Sequence, residues 1–148
     1  IVRERAAQLF TRPRIACLEW FDPIYAAGHW VPEMIDLAGG HDVLGQKGKP
    51  SEKIQWKQVM ELAPDVIVLM PCGFDIQRTA TEAVTLQHLD GWHDLPAVKT
   101  GKVFAVNGHA FFSRPGPRLV DGLEILARII HPEIFPMQKS PDAFQRIA

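Results

Sequence analysis

Val66-Ile67-Val68-Leu69-Met70 is an unbroken apolar run between Asp65 and Pro71. It shows no polar alternation, so neither face is meant for water. A strand of this kind is covered on both sides, as in a parallel sheet held between helical layers. Two further runs share the property, Ile-Ala-Cys-Leu at 15–18 and Val-Phe-Ala-Val at 103–106. Each is followed by a helical signal. Pro32 opens one segment, in which Glu33 and Asp36 suit the positive end and Met34, Ile35 and Leu37 form an apolar side, and Gly39-Gly40 stops it. Ile76, Ala80 and Val84 mark a second, with Gln77, Arg78 and Glu82 on its outer face. Leu119, Leu123, Leu126 and Ile130 mark the third, with Asp121, Glu124 and Arg128 opposite. A shorter helix is predicted over 55–63 and a small strand over 41–44. This alternation predicts an α/β fold, a single lobe with a mostly parallel central sheet flanked by helices in three Rossmann-like layers.

With 148 residues and 47% hydrophobic content the chain is long enough for one real core. Its 16 Lys and Arg against 17 Asp and Glu give no sign of a basic nucleic-acid surface or a polybasic membrane patch. No apolar run approaches the roughly 18 residues of a spanning helix. Cys17 and Cys72 fit no metal spacing and are read as small residues in or beside buried strands. A disulfide between them depends on whether the strands bring them close.

The stretches after the apolar runs are rich in aromatics. Glu19-Trp20-Phe21-Asp22-Pro23 follows the first, Pro71-Cys72-Gly73-Phe74-Asp75 the second, and Asn107 to Arg114, with His109, Phe111 and Phe112, the third. All three are read as loops at carboxyl ends of strands, where open α/β sheets bind ligands. His29 and Trp30 extend the first, and Trp92 follows another helix boundary. Aromatics along one sheet edge with a few polar anchors suit a large, planar, partly hydrophobic ligand. Packing of each ring under its own loop is the alternative. Arg114, held before Pro115, is the best single polar anchor, a forked donor for an amide, carboxylate or phosphate, with a surface salt bridge as the alternative.

Catalytic and metal signals are weak. There is no Gly-x-Ser-x-Gly elbow and no phosphate-binding glycine loop. Cys72 as nucleophile with His109 as base would suit a small hydrolase, but nothing marks a third, orienting group. His29, His41, His93 and His109, with Glu19, Asp22 and Asp75, lack the tight spacing of a helical zinc motif.

Four segments, in this order and spacing, resemble one family. They are Met34-Ile-Asp-Leu-Ala-Gly-Gly40, Leu62-Ala-Pro-Asp-Val-Ile-Val-Leu69, the stretch 92–106 from Trp92-His-Asp-Leu-Pro to Val-Phe-Ala-Val, and the Arg-Pro-Gly-Pro-Arg-Leu run from Arg114. The chain resembles the C-terminal lobe of the periplasmic cobalamin- and iron-siderophore-type substrate-binding proteins of ABC importers. Cys17-Leu-Glu-Trp20 and Phe111-Phe-Ser-Arg-Pro-Gly-Pro117 are most similar to the cobalamin-binding branch.

The resemblance implies two lobes joined by a long helix, with ligand between them and no catalysis. Residues 1–11 would be the end of that helix, 12–136 the C-terminal ligand-binding lobe, and 137–148 a tail without periodicity, expected to be partly disordered. An N-terminal lobe would be missing from this chain, leaving half a cleft and weakened affinity. The family's pocket positions fall on Trp20, Phe21, Phe74, Phe112 and Arg114; His29, Trp30 and His109 are added from their chemistry. The implied ligand is a corrinoid, cobalamin, as transported cargo, with no cofactor of the protein's own. An iron-siderophore, haem or bare metal is the alternative within the fold, and Tyr25 and His109 keep an axial haem ligand open. The implied partners are the membrane permease subunits of an ABC importer, and the implied location is periplasmic or extracellular at a membrane. One departure stands out. Lys57 occupies the position where the family usually carries a permease-docking glutamate, and Glu52 or Glu61 would have to substitute.

Overall fold

The computed structural model describes residues 2–6, 11–112, 116, 118–135 and 144–148, and only the backbone of residues 109 and 110. The three apolar runs are neighbouring parallel strands. β1 (Arg14–Phe21) pairs with β5 (Val66–Leu69), Cys17 opposite Val68, and β5 pairs with β6 (Val103–Val106), Val68 opposite Phe104. β3 (His41–Asp42) lies parallel to the first residues of β1, and β2 (Ile24–Ala26) antiparallel to its last ones. Thus β1 serves two partners along one edge. β4 (Glu52–Lys53) extends the sheet beyond β2, and β7 (Phe144–Arg146) closes the far side antiparallel to β6. The full order is β4-β2-β1-β5-β6-β7, with a parallel centre and antiparallel edges.

The double-sided apolar pattern has its predicted consequence. Ile15, Cys17, Val66, Val68 and Val106 face a core with α2 (Val31–Leu37) and α8 (Arg118–Ile130). Ala16, Leu18, Ile67, Leu69 and Val103 face a second core. That side is covered by α3 (Trp56–Leu62), α4 (Ile76–Glu82), α5 (Val84–Gln87), a 3-10 turn (Trp92–Asp94) and α6 (Pro96–Lys99). Every residue of β5 and β6 is buried. At about 1.5–3 kcal/mol per fully buried aliphatic side chain, these strands are a main source of stability. On the α8 side, α1 (Val2–Ala6) buries Ala6.

Several local expectations change. Trp20 and Phe21 lie inside β1 rather than in a loop, because the chain turns back through a cis Asp22–Pro23 peptide into β2. Pairing with Ile24 and Tyr25 keeps both residues extended. The stretch after β6 contains one helical turn, α7 (Gly108–Phe111). The helix expected from Ile76 onward is divided at Ala83 into α4 and α5. Trp92 is 2% exposed, stacked 6.0 Å from Trp56 in the second core, and so is scaffold. The tail ends as strand β7, its backbone tied to β6, while residues 136–143 lie outside the described ones. Cys17 is buried and Cys72 exposed, and both are free thiols. Burial, and then the nearby Asp42 carboxyl, pushes the Cys17 thiol well above its ordinary value, which makes it unreactive.

Asp42 itself supports a prediction. Its Oδ1 accepts from the N–H groups of Leu44 at 3.0 Å and Gly45 at 2.9 Å, but Oδ2 is buried without a partner. Burial raises its pKa, only partly offset by the Gly45 and Leu44 N–H groups. An acid with a raised folded-state pKa favours the fold below its unfolded pKa and loses that contribution as pH rises through the folded value. Asp42→Asn keeps the Oδ1 acceptor and removes the buried charge. We expect it to stabilise the protein at neutral pH by about 1 kcal/mol, the gain fading toward pH 4. Urea unfolding at both pH values tests this, and a loss of stability at pH 7 would refute it.

Candidate functional site

Because β1, β5 and β6 are parallel, their carboxyl ends share one edge of the sheet. Two groups of side chains gather there. The first is an aromatic ladder. Phe74, buried in the turn after β5, meets Trp20 edge to face with ring centroids 5.2 Å apart. Trp20 is 37% exposed, one of the few large apolar side chains left open to solvent. Above Phe74, 3.9 Å from the ring centroid, lies the guanidinium carbon of Arg78. Asp75 sets this up as the N-cap of α4, its Oδ1 accepting from Arg78 N–H at 2.8 Å. Phe74 and Arg78 thus flank the cap one turn apart and meet on the same side.

The second group lines a cleft of about 130 Å³ between the β1–β2 hairpin and the segment after β6. Glu19, His29, Trp30, Met70 and Phe112 form its walls. Trp30 Nε1 donates to the Phe112 carbonyl at 2.9 Å, bridging segments far apart in sequence. The His29 ring lies 5.5 Å from that of Trp30 and is exposed. His29 has a φ of 57°, unusual for a residue with a side chain. Its backbone is held from both sides, with its N–H donating to the Lys49 carbonyl at 2.6 Å and its carbonyl accepting from Gly48 N–H at 3.2 Å. The loop 45–50, read only as basic and glycine-containing, is therefore the clamp that sets His29.

The predicted site residues divide accordingly. His29, Trp30 and Phe112 share the cleft, and Trp20 and Phe74 share the ladder. Phe112 is 5% exposed and belongs to the first core, so what it offers the cleft is mainly a wall. Phe21 is half-buried against the second core. Arg114 and the His109 side chain lie outside the described residues. Two contributors went unrecognised. Glu19 was weighed only as a metal ligand, and Arg78 was placed on the solvent face of its helix. The signal for Arg78 was Phe74-Asp-x-x-Arg78, an aromatic and a cation across a capping aspartate. Among the described residues no group of three His, Cys, Asp or Glu side chains could hold a metal ion.

Residues 2–109, which carry β1 to β6 and most of both walls, match the family described as periplasmic binding protein. The chain belongs to that family. An uncharacterised ABC transporter substrate-binding lipoprotein of Bacillus subtilis is 30% identical over 99 residues, 64% of this chain and 29% of that protein. A vitamin B12-binding protein of Vibrio cholerae is 30% identical over 101 residues, 67% of this chain and 33% of the relative. The crystal structure of a periplasmic heme-binding protein from Pseudomonas aeruginosa shares the fold with a TM-score of 0.74 at 18% identity. That match covers 98% of this chain and 51% of the solved one. The chain thus spans about a third of the curated relatives it matches and about half of that structure. The curated relatives are a substrate-binding lipoprotein and a vitamin B12-binding protein rather than enzymes, and they give no support to the reading of Cys72 as nucleophile with His109 as base. Among the described residues no helix is long and apolar enough to cross a membrane.

Proposed function

We propose that this chain forms one lobe of the substrate-binding component of an ABC importer and that its ligand is a corrinoid, cobalamin. The observation that carries the reading is the sheet edge that holds both the Trp20–Phe74 ladder and the cleft walled by Trp30. Rings along one edge cover the apolar rim of a macrocycle, while side chains and backbone groups of the neighbouring turns reach its peripheral amides. A vitamin B12-binding relative supports the choice of ligand. The chain covers about half of a solved protein of the same fold, and on this reading a second lobe would supply the opposite wall of the cleft. The lobe binds and releases its ligand without chemistry and needs no cofactor of its own. It works outside the cytoplasmic membrane and delivers the ligand to permease subunits. Lys57 and Glu61, 3.8 Å apart and both exposed on α3, offer a permease a mixed charge pair in place of a lone glutamate.

Titration of the full-length protein with cobalamin, followed by calorimetry, is expected to give saturable binding at micromolar concentration. Absence of binding for both cobalamin and cobinamide would overturn the corrinoid assignment. Haem is the second reading, favoured by the exposed imidazole of His29 at the cleft and by the heme-binding structural neighbour. Haemin binding without corrinoid binding would establish it.

A further inference from the structure

We propose that Arg78 is the anion anchor of this site, holding a phosphate or carboxylate group of the ligand while Phe74 supports its guanidinium from below. The inference rests on the macrocycle reading above and adds a charge requirement to it. Three observations converge. First, the place is right: Arg78 lies in the first turn of α4, which follows β5 after the turn 70–75, and Trp20 and Phe74 continue the same ladder. Second, the group is oriented. With Cζ 3.9 Å from the Phe74 centroid, one face of the guanidinium is taken by the ring. Its N–H donors lie in its own plane and remain available for forked recognition of an oxyanion.

Third, the charge is uncommitted. Arg12 binds the Asp36 carboxylate at 2.7 Å and Arg128 lies 4.0 Å from Glu124, whereas Arg78 has no ion pair among the described residues. Asp75, the nearest acid in sequence, accepts the backbone N–H of Arg78 rather than its side chain. A cation in a first helical turn also gains nothing from the helix dipole. The Asp75 cap and the Phe74 ring fix where the guanidinium lies but leave its charge without a counter-ion, and an oxyanion arriving from the ligand supplies one. The Phe74 ring shields one side of the guanidinium from water, which strengthens such a pair over a fully hydrated one.

The chemistry names two sources, a phosphodiester such as that of the cobalamin nucleotide arm or a carboxylate such as a haem propionate. The test uses each macrocycle with and without its anion: cobalamin against cobinamide, and haemin against its dimethyl ester. These are titrated into the full-length protein and into its Arg78→Met and Arg78→Lys variants. In the pair that binds, Arg78→Met should weaken the member that carries the phosphodiester or carboxylate about 10- to 100-fold and the member that lacks it less than about 3-fold. Arg78→Lys should recover part of the loss, since it keeps the charge without the fork. Which pair responds identifies the oxyanion. Equal weakening of both members, or of neither, would overturn the anchor while leaving the macrocycle reading in place. If the wild type bound none of the four, the macrocycle reading would fall and the anchor with it. Far-UV dichroism of both variants should match the wild type, since Arg78 is exposed; loss of fold would show a structural role instead.

Discussion

Gly28→Ala is expected to dismantle the cleft. A Cβ on Gly28 would sit 2.5 Å from the Pro50 carbonyl carbon, 2.5 Å from Ser51 N and 2.6 Å from Lys49 O. All three are backbone atoms, so no side chain can swing aside and the loop 45–52 must move as a body. That loop supplies both hydrogen bonds that hold His29 at positive φ. Overpacking a tight site costs about 1–3 kcal/mol. Two strained or lost hydrogen bonds add about 1 kcal/mol each. The combined loss is expected near the upper end, about 3 kcal/mol, and should appear as a lower urea midpoint with an unchanged slope. The functional effect should be larger than stability alone implies, because His29 and Trp30 lose their setting even in molecules that stay folded. Ligand affinity of the full-length variant should fall by at least about 10-fold, the equivalent of about 1.4 kcal/mol. A variant with wild-type midpoint and wild-type affinity would show that the loop is not the clamp described above.

His131→Ala should have the other large effect, on the opposite side of the molecule. His131 is 2% exposed at the end of α8. Its Nε2 lies 2.9 Å from the Gly39 carbonyl, which can only accept, so this nitrogen is the donor. Its Nδ1 lies 3.1 Å from Glu133 Oε1. Gly39 ends α2 at a φ of 91°, and a Cβ there would meet the His131 ring at 2.9 Å and Ala6 Cβ at 3.2 Å. The ring thus joins α8 to the end of α2 beneath α1. Its removal leaves a cavity and an orphaned carbonyl, together costing about 3–5 kcal/mol. His131→Gln, which keeps a donor, should recover part of that.

The variant should also change the response to acid. The Glu133 carboxyl is held below its ordinary value, first by its own backbone N–H, with burial opposing and His131 then adding to the lowering. A depressed carboxylate favours the fold above its unfolded pKa and loses that contribution as pH falls through the folded value. Stability of the wild type should therefore drop below the ordinary glutamate range, and less so in His131→Ala. Urea midpoints that are equal at neutral pH, or acid profiles that run parallel, would refute this account.

How much of this was legible in the chain differs by element. The strands β1, β5 and β6 were readable because burial on both faces demands an unbroken apolar run, visible without any partner. Helices α2 and α8 were readable from the spacing of one apolar side. Strands β2, β4 and β7 were not, since Ile24–Ala26, Glu52–Lys53 and Phe144–Arg146 are too short to show a period. They exist because a neighbouring edge offers unpaired backbone groups, as β6 does to Phe144, Gln145 and Arg146. The family was legible too, because its segments recur in order along the chain.

The site was legible by type and not by contact. Sequence alone determined that aromatic residues would gather at the carboxyl ends of three buried strands on one edge of a parallel sheet, because strand direction and burial are written in local pattern. Tertiary structure alone decided which of those rings stay open at that edge. Phe112 turned its ring into the first core and Phe21 into the second, while Trp20 stayed open and Trp30 joined the cleft through the Phe112 carbonyl. It also decided that Arg78 lies over Phe74 and that a distant loop clamps His29. The physical reason is that a side chain's exposure is set by what packs against it. At this edge the packing partners come from separate strand ends and from the loop 45–52, which no local stretch of sequence brings together.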